Sequence, residues 1–404
     1  MSAAFGCRSV GYTAGMKLEP FAMERLQSLW EHKVAWNLAE SGVHPLRVEE
    51  LLENDEERSA LMRQDLGYSQ TNGTFELRAT VAAMYSDASP AHVQITNGGS
   101  EANCIALLAL VQPGDQVVVM MPNYLQAPGL VRALGGTVVP WTLLEDPGTG
   151  GSAARWRPDL DSLQALATPG TRAIFICNPN NPTGARLTAA ELDGICRIAS
   201  AVGAWVISDE IYRGAELDGV DTPTAWGRYE RVIVTSGLSK AYALPGLRIG
   251  WTVAPDPLVD ELWGIHDYTT IAPGAINDRL ARIALAPARR ELLLARTRGI
   301  LRTNYPALRR WIERRAPFLS HVPPEAGAIV LVKYAAPVPS AELVERIREE
   351  ESVLVVSGSS VGMEGHLRIG FGCDPEFLLG ALDRLGTVID SLASSPDRYR
   401  TAAG

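Results

Sequence analysis

Lysine is scarce in this chain. Of 404 residues only Lys17, Lys33, Lys240 and Lys333 are lysines, and arginine supplies nearly all the remaining positive charge. Arginine stays protonated in proteins, whereas a lysine amine becomes nucleophilic when desolvation and nearby charge favour its neutral form. Lys240 ends the stretch Val234-Thr-Ser-Gly-Leu-Ser-Lys240, directly after an apolar run. An isolated lysine there reads as a surface side chain, but its neighbours argue for amine chemistry. Arg248, in Pro245-Gly-Leu-Arg248-Ile-Gly-Trp, opens the next apolar run. Its guanidinium suits either a phosphate dianion or a carboxylate partner.

Asp209 ends another apolar run, Ala204-Trp-Val-Ile-Ser-Asp209, followed by Glu-Ile-Tyr212. A charge in that setting is costly without a partner. Asp209 therefore caps a helix or faces a cation such as a protonated pyridine nitrogen, with Tyr212 donating to a phenolic oxygen of the same ring. Asn178-Pro-Asn-Asn181-Pro-Thr-Gly184 has two Asn-Pro steps that make a rigid turn presenting the Asn181 amide. Thr96-Asn-Gly-Gly-Ser100-Glu-Ala102 joins an apolar run to a helical one, and its glycines leave backbone N–H groups open to an anion. Tyr124 follows a further apolar run and is placed to stack on an aromatic ring or to be half-buried. Near the C-terminus, Arg368 in His366-Leu-Arg368-Ile-Gly-Phe-Gly372 offers a two-pronged carboxylate clamp.

These residues fall at the ends of predicted elements. Strand-like runs cover His92–Thr96, Gln116–Met120, Thr137–Trp141, Arg172–Cys177, Ala204–Ser208, Arg231–Thr235 and Arg248–Val253. Nearly continuous hydrophobicity suits strands covered on both faces. Helical patterns at Glu101–Val111, Gln126–Leu134 and Ala189–Val202 alternate with them. That alternation predicts an α/β fold with a doubly wound, mostly parallel sheet, in which ligands collect outside the carboxyl ends of strands. After about Leu285 the character changes to a long arginine-rich helix, Pro287–Arg315, which Pro306 is expected to kink or break. Its nine arginines from Arg289 to Arg315 read as a solvated face. The expected division is a tail over 1–15, an N-terminal part of a small domain over 16–44, a large cofactor domain over 45–285, and a small α+β domain over 286–404.

Composition limits the function classes. With 37 Lys+Arg against 46 Asp+Glu, the formal net charge of -9 argues against nucleic acid. Cys7, Cys104, Cys177, Cys196 and Cys373 are scattered, which fits buried thiols in a reducing compartment and offers no zinc spacing. No apolar run is long enough to span a bilayer, and Met1–Gly15 lacks the core of a signal peptide. A cytoplasmic enzyme with no metal is expected, with Met1–Gly15 as a disordered tail.

Taken together, NPNNPTG, SDEIY and SK…PGLRIG, in this order, resemble the class I/II aminotransferase family, the aspartate-aminotransferase-like fold type I of pyridoxal-phosphate enzymes. The resemblance runs from roughly Ser41 to Phe371. It implies that Lys240 holds pyridoxal 5′-phosphate as a Schiff base and shuttles a proton. Asp209 would pair with the pyridine nitrogen, Tyr212 and Asn181 with the phenolic oxygen, and Tyr124 would stack on the ring. Gly99, Ser100, Glu101 and Arg248 would form the phosphate cradle. Tyr68 would reach the phosphate from a partner subunit, which implies a homodimer with sites at the interface. Arg368 would take the substrate carboxylate, with Gly42 and Asn181 lining the same side. Where the family usually has a hydroxyl residue three positions before the lysine, this chain has Gly237, leaving Ser236 or Ser239 to compensate.

The implied reaction is aminotransfer between an amino acid and a 2-oxo acid. The alternative is a lyase or cyclase acting on an unusual amino acid, since no second substrate-binding arginine is assignable. His266-Asp267-Tyr268 reads as a surface loop, or as the lining of a less typical pocket. A pyridoxal-phosphate-binding regulatory domain is disfavoured, because no basic N-terminal module is present.

Overall fold

The computed structural model describes residues 16–148 and 153–394. The expectation for Met1–Gly15 lies outside these residues. The central sheet has seven strands: β1 (Val93–Thr96), β2 (Gln116–Met121), β3 (Thr137–Thr142), β4 (Thr171–Cys177), β5 (Trp205–Asp209), β6 (Val232–Gly237) and β7 (Gly250–Val253). Their order is β1-β7-β6-β5-β4-β2-β3. All pairings are parallel except those of β7, which runs antiparallel to both β1 and β6. The mostly parallel α/β sheet read from the sequence is therefore present, and each predicted strand lies within two residues of its observed bounds.

Helices cover both faces of this sheet, which is why its middle strands carry apolar side chains in both directions. In β6 every residue is buried, and in β4 only Arg172 is not. The helices that bear on the site are α1 (Ala22–Trp30), α2 (Gly99–Leu110), α3 (Ala189–Val202), α4 (Asp256–His266) and α5 (Pro287–Glu313). Thr188 and Glu191 form a reciprocal capping box at the start of α3, and Gly203 closes it in the left-handed conformation at φ 73°. The register sets Cys177 beside Asp209 and Asp209 beside Thr235. Three strand ends thus finish level with one another.

A second sheet follows α5. It consists of β8 (Leu319–His321), β9 (Ile329–Tyr334), β10 (Val356–Ser357) and β11 (His366–Gly370), antiparallel in the order β8-β9-β11-β10. The N-terminal segment is tied to this part of the molecule. Trp36–Asn37 pairs in parallel with Val353–Leu354, and Leu38 O accepts from Gly370 N at 2.7 Å. Residues 36–41 therefore run beside β11 and lead Glu40 and Ser41 toward the end of the large sheet.

Helix α5 continues through Pro306 without a break, contrary to expectation. Pro306 lies on the exposed side, where water can satisfy the carbonyl that loses its donor. On the opposite side Leu301, Asn304, Leu308, Trp311 and Ile312 are buried and hold the helix in place. Its arginines are widely ion-paired: Arg298 with Glu216 and Asp221, and Arg289 with Glu53. The reading of a solvated basic face stands, with carboxylate partners added.

Among the described residues no helix is long and apolar enough to cross a membrane. Cys177 and Cys196 are buried, Cys104 and Cys373 are half-buried, and all four are free thiols.

Candidate active site

A cavity of about 310 Å³ lies at the carboxyl edge of the large sheet, between it, α1 and β11. Its lining includes Lys240, Asp209, Tyr212, Asn181, Tyr124, Gly99, Ser100, Ser239, Arg248 and Arg368. Residues separated by up to 269 positions in the chain thus converge: most follow or end a parallel strand whose carboxyl end opens on this side, Arg248 precedes the antiparallel β7 at the same edge, and Arg368 comes from β11 of the second sheet.

Asp209 is a buried carboxylate at the end of β5. It is 8% exposed, and its Oδ2 accepts from Asn103 Nδ2 at 2.8 Å while Oδ1 accepts from the Ile211 N–H at 3.1 Å. A turn follows it rather than a helix, so the helix-cap reading fails. Asn103 is fixed in turn by Thr235, whose hydroxyl donates to its Oδ1 at 2.6 Å. Burial raises the Asp209 carboxyl to about 6, against the opposing pull of the Asn103 and Ile211 hydrogen bonds. No cation is paired with it among the described residues. A buried carboxylate with donors but no counter-charge suits a ligand that brings a positive nitrogen.

Lys240 sits in the bend after β6, and its Nζ is 2.7 Å from Glu40 Oε1. Burial works against the ionised Glu40, but Lys240 and the Gly42 and Ser41 N–H groups outweigh it and hold its carboxyl at about 2. Tyr212 is buried and donates to Ser41 Oγ at 2.9 Å; burial pushes its phenol far above the ordinary range. Both Asn-Pro peptide bonds of the Asn178–Gly184 turn are cis, and Asn181 Oδ1 accepts from Arg368 at 3.1 Å. Arg368 is 1% exposed and also donates to Ala39 O at 2.5 Å. Its Nε has no partner among the described residues.

The anion-binding side is formed by the first turn of α2 and by Arg248. Gly98 precedes α2 with φ 97°, a conformation that favours glycine. A Cβ there would stand 2.3 Å from an Arg248 guanidinium nitrogen, so the arginine lies directly on the glycine backbone. Arg248 itself has φ 48° and donates to Pro245 O at 3.1 Å and to Ser239 Oγ at 3.4 Å. Helix-start N–H groups beside a guanidinium suit a phosphate. Of the two candidate hydroxyls, Ser239 faces this side, whereas Ser236 donates to Glu210 O at 3.1 Å. Gly237 has no room for a hydroxyl side chain: a Cβ would meet Ile249 O at 2.8 Å and Gly250 Cα at 3.0 Å.

Two sequence expectations differ from the structure. Glu101 turns away from the cavity, accepting from the Asn97 N–H at 2.5 Å and from Thr270 at 2.7 Å and approaching His266 to 3.4 Å. Burial opposes its charge, but those contacts hold its carboxyl at about 2, and a carboxylate would in any case repel a phosphate. Gly42 does not line the cavity; its N–H donates to Glu40 Oε1 at 2.9 Å, and Glu40 and Ser41 take the lining position instead. Tyr68, expected at a partner subunit's site, is 89% exposed and is not among the residues lining the cavity of its own chain. The His266–Tyr268 segment also divides: His266 is buried at the end of α4 and Tyr268 is exposed.

Sequence reasoning missed Asn103, Glu40, Ser41 and the α1 residues Met23, Glu24 and Gln27. Asn103 lies one turn into the helix that begins at Gly99, on the side facing the sheet end, and that spacing was the available signal. For Glu24 the contact is tertiary: Tyr124 donates to it at 2.9 Å and packs on Phe21 with ring centroids 4.8 Å apart. Tyr124 thus connects α1 to the cavity.

Residues 37–385 match the family model "Aminotransferase class I and II". The chain is 32% identical to capreomycidine synthase of Streptomyces vinaceus, over 87% of this chain and 90% of that protein. It is 28% identical to the aspartate/prephenate aminotransferase of Thermus thermophilus, over 82% and 86% respectively. Among solved structures, a PLP-dependent aminotransferase from Streptococcus suis superposes with a TM-score of 0.85 at 32% identity, covering 96% of this chain and 100% of that one.

Proposed function

This chain belongs to the class I and II aminotransferase family, and from that premise we propose that Lys240 is its catalytic lysine and Asp209 its cofactor-ring partner. The family implies pyridoxal 5′-phosphate. The observation that carries the assignment is the buried Asp209 carboxylate, hydrogen-bonded but without a cation, facing the same cavity as Lys240. Pyridoxal phosphate, when bound, supplies a ring that withdraws electrons from the substrate α-carbon. Asp209 holds a proton on the ring nitrogen. Gly99, Ser100, Ser239 and Arg248 hold the phosphate, and Tyr212 and Asn181 hold the phenolic oxygen. Tyr124 covers the ring, and Arg368 binds the α-carboxylate of the amino acid. Lys240 Nζ would hold the cofactor through its carbonyl carbon; once the substrate's own amine takes that place and releases Nζ as a free amine, Lys240 would accept the proton from the substrate α-carbon and give it back, as general base and then acid. Glu40, at 2.7 Å, keeps Nζ directed into the cavity while it is charged. The net reaction moves an amino group from an amino acid to a 2-oxo acid.

Tyr68 is assigned to the phosphate of a partner subunit. Its 89% exposure, with Met62, Leu66 and Phe75 also exposed nearby in the chain, supports a homodimer that covers this stretch. Cytoplasmic placement is part of the same reading. A second reading, elimination or ring closure at the same lysine, is supported by the similarity to a synthase and by the absence, among the described residues, of a further arginine in the cavity lining.

Borohydride reduction of the holoenzyme tests the lysine. The reduced cofactor is expected on the peptide containing Lys240 and is absent in Lys240→Ala, whose turnover falls by roughly three orders of magnitude. Labelling at another lysine overturns the assignment. Glutamate formed from 2-oxoglutarate in step with amino acid consumed supports aminotransfer; amino acid consumed without glutamate supports the second reading.

A further inference from the structure

The charges on the cavity wall do not match a dicarboxylic substrate. Among the described residues three cations line it, and each has a use: Arg248 on the anion side, Lys240 beside Glu40, and Arg368 beneath Asn181. Facing them, Glu24, Gln27 and Ser28 of α1 and Glu31, its C-terminal cap in helical conformation, fall at positions i, i+3, i+4 and i+7 and so share one face, all lining the cavity. Glu24 accepts from Tyr124 and forms no contact ion pair among the described residues, its charge acting on Arg368 only from a distance. Glu31 meets only His32 among them, at 3.4 Å, and that side chain is 90% exposed. Seven residues of helix separate the two carboxylates by about 10 Å.

An acidic wall alone would say little, but Arg368 is an independent sign of a ligand. It is 1% exposed, its Nε lacks a partner, and among the described residues no carboxylate forms a contact ion pair with it, although the charges of Glu40 and Glu24 act on it across the cavity. Next to it, Met23 Sδ lies 3.4 Å from an Arg368 nitrogen, and Met23 directly precedes Glu24 in α1. A ligand carboxylate on Arg368 therefore starts within reach of the α1 wall. Resting on the aminotransferase reading above, we infer that the amino donor is an α-amino acid with a cationic side chain, a guanidinium or ammonium group. Its α-carboxylate sits on Arg368, and its side chain runs along α1 to Glu24 and Glu31. A second carboxylate, as in aspartate, would face these glutamates with no cation to receive it.

The test uses the holoenzyme with L-arginine, L-ornithine, L-lysine, L-norleucine and L-aspartate as donors, and 2-oxoglutarate or pyruvate as acceptor. The cationic donors are expected to exceed norleucine and aspartate in kcat/KM by about tenfold or more. In the Glu24→Gln/Glu31→Gln double variant, the preference for arginine over norleucine is expected to shrink by about tenfold; the amide oxygen introduced in place of the Glu24 carboxylate still accepts from Tyr124. Best turnover with aspartate, or equal losses for all donors in the double variant, overturns the inference. The cofactor's visible absorption separates this inference from the reaction assignment. Shifts with arginine and not aspartate, without amino transfer, leave the substrate class standing and remove the aminotransferase reading. Transfer confined to aspartate does the reverse.

Discussion

At the residue scale, Asp209 ties stability to pH in a direction opposite to that of Glu40 and Glu101. Its carboxyl rises from 3.8 to about 6 because it is buried. Between those values the folded chain holds a proton that the unfolded chain has lost, so stability falls as pH rises through this window. Glu40 and Glu101, both held at about 2 against 4.5, act the other way: their contribution is lost as pH falls from 4.5 toward 2. In cofactor-free protein, Asp209→Asn should remove the first effect. Urea unfolding between pH 4 and pH 7 is expected to show wild type losing on the order of 2 kcal/mol relative to the variant. A constant difference across that range would mean that Asp209 is ionised throughout. The residue types of Lys240, Asp209 and Arg248 were legible in the sequence because each is a costly or reactive group beside an apolar run. Glu40 was not legible, since its contact with Lys240 spans 200 positions.

At the element scale, the strands were predicted closely because a doubly covered parallel sheet requires near-continuous apolar runs, and these are local signals. Helix α5 shows the converse. Local propensity predicts a break at Pro306, yet burial of Leu301, Leu308 and Trp311 carries the helix across it. Pro306 is exposed and interior to the helix. Pro306→Ala restores an N–H donor at the cost of a more flexible unfolded chain, and the net gain is expected to be about 1–2 kcal/mol. A rise in Tm with unchanged turnover would show this; a lower Tm would mean that the ring makes a contact worth more than the hydrogen bond. Helix α1 was the least predictable element in its role. Its segment is expected only to join the small domain, and only its docking beside β11 makes it a cavity wall.

For the whole molecule, the homodimer reading makes subunit cooperation at the site measurable. Under it, Lys240 and Tyr68 of one cavity come from different chains. Mixing Lys240→Ala with Tyr68→Ala subunits under exchange conditions should then rebuild one native site per hybrid dimer, giving about a quarter of wild-type activity in an equal mixture. Activity no higher than the mean of the two separate variants would place Tyr68 outside the partner's site. Sedimentation of the wild-type protein gives the oligomeric state directly.

By itself the sequence determined the α/β class, the strand positions, the family, and the residues that end strands with chemical potential. Those features follow from hydrophobic period and from short motifs, both carried within a few residues. Only the tertiary structure decided that Glu101 faces His266 and the Thr269–Thr270 turn, that Glu40 and Ser41 replace Gly42 at the cavity, and that α1 brings Glu24 and Glu31 opposite Arg368. Each of those outcomes depends on which distant segments pack together. The direction of a side chain is set by that packing and by the cost of leaving a buried charge without a partner, neither of which is visible along the chain.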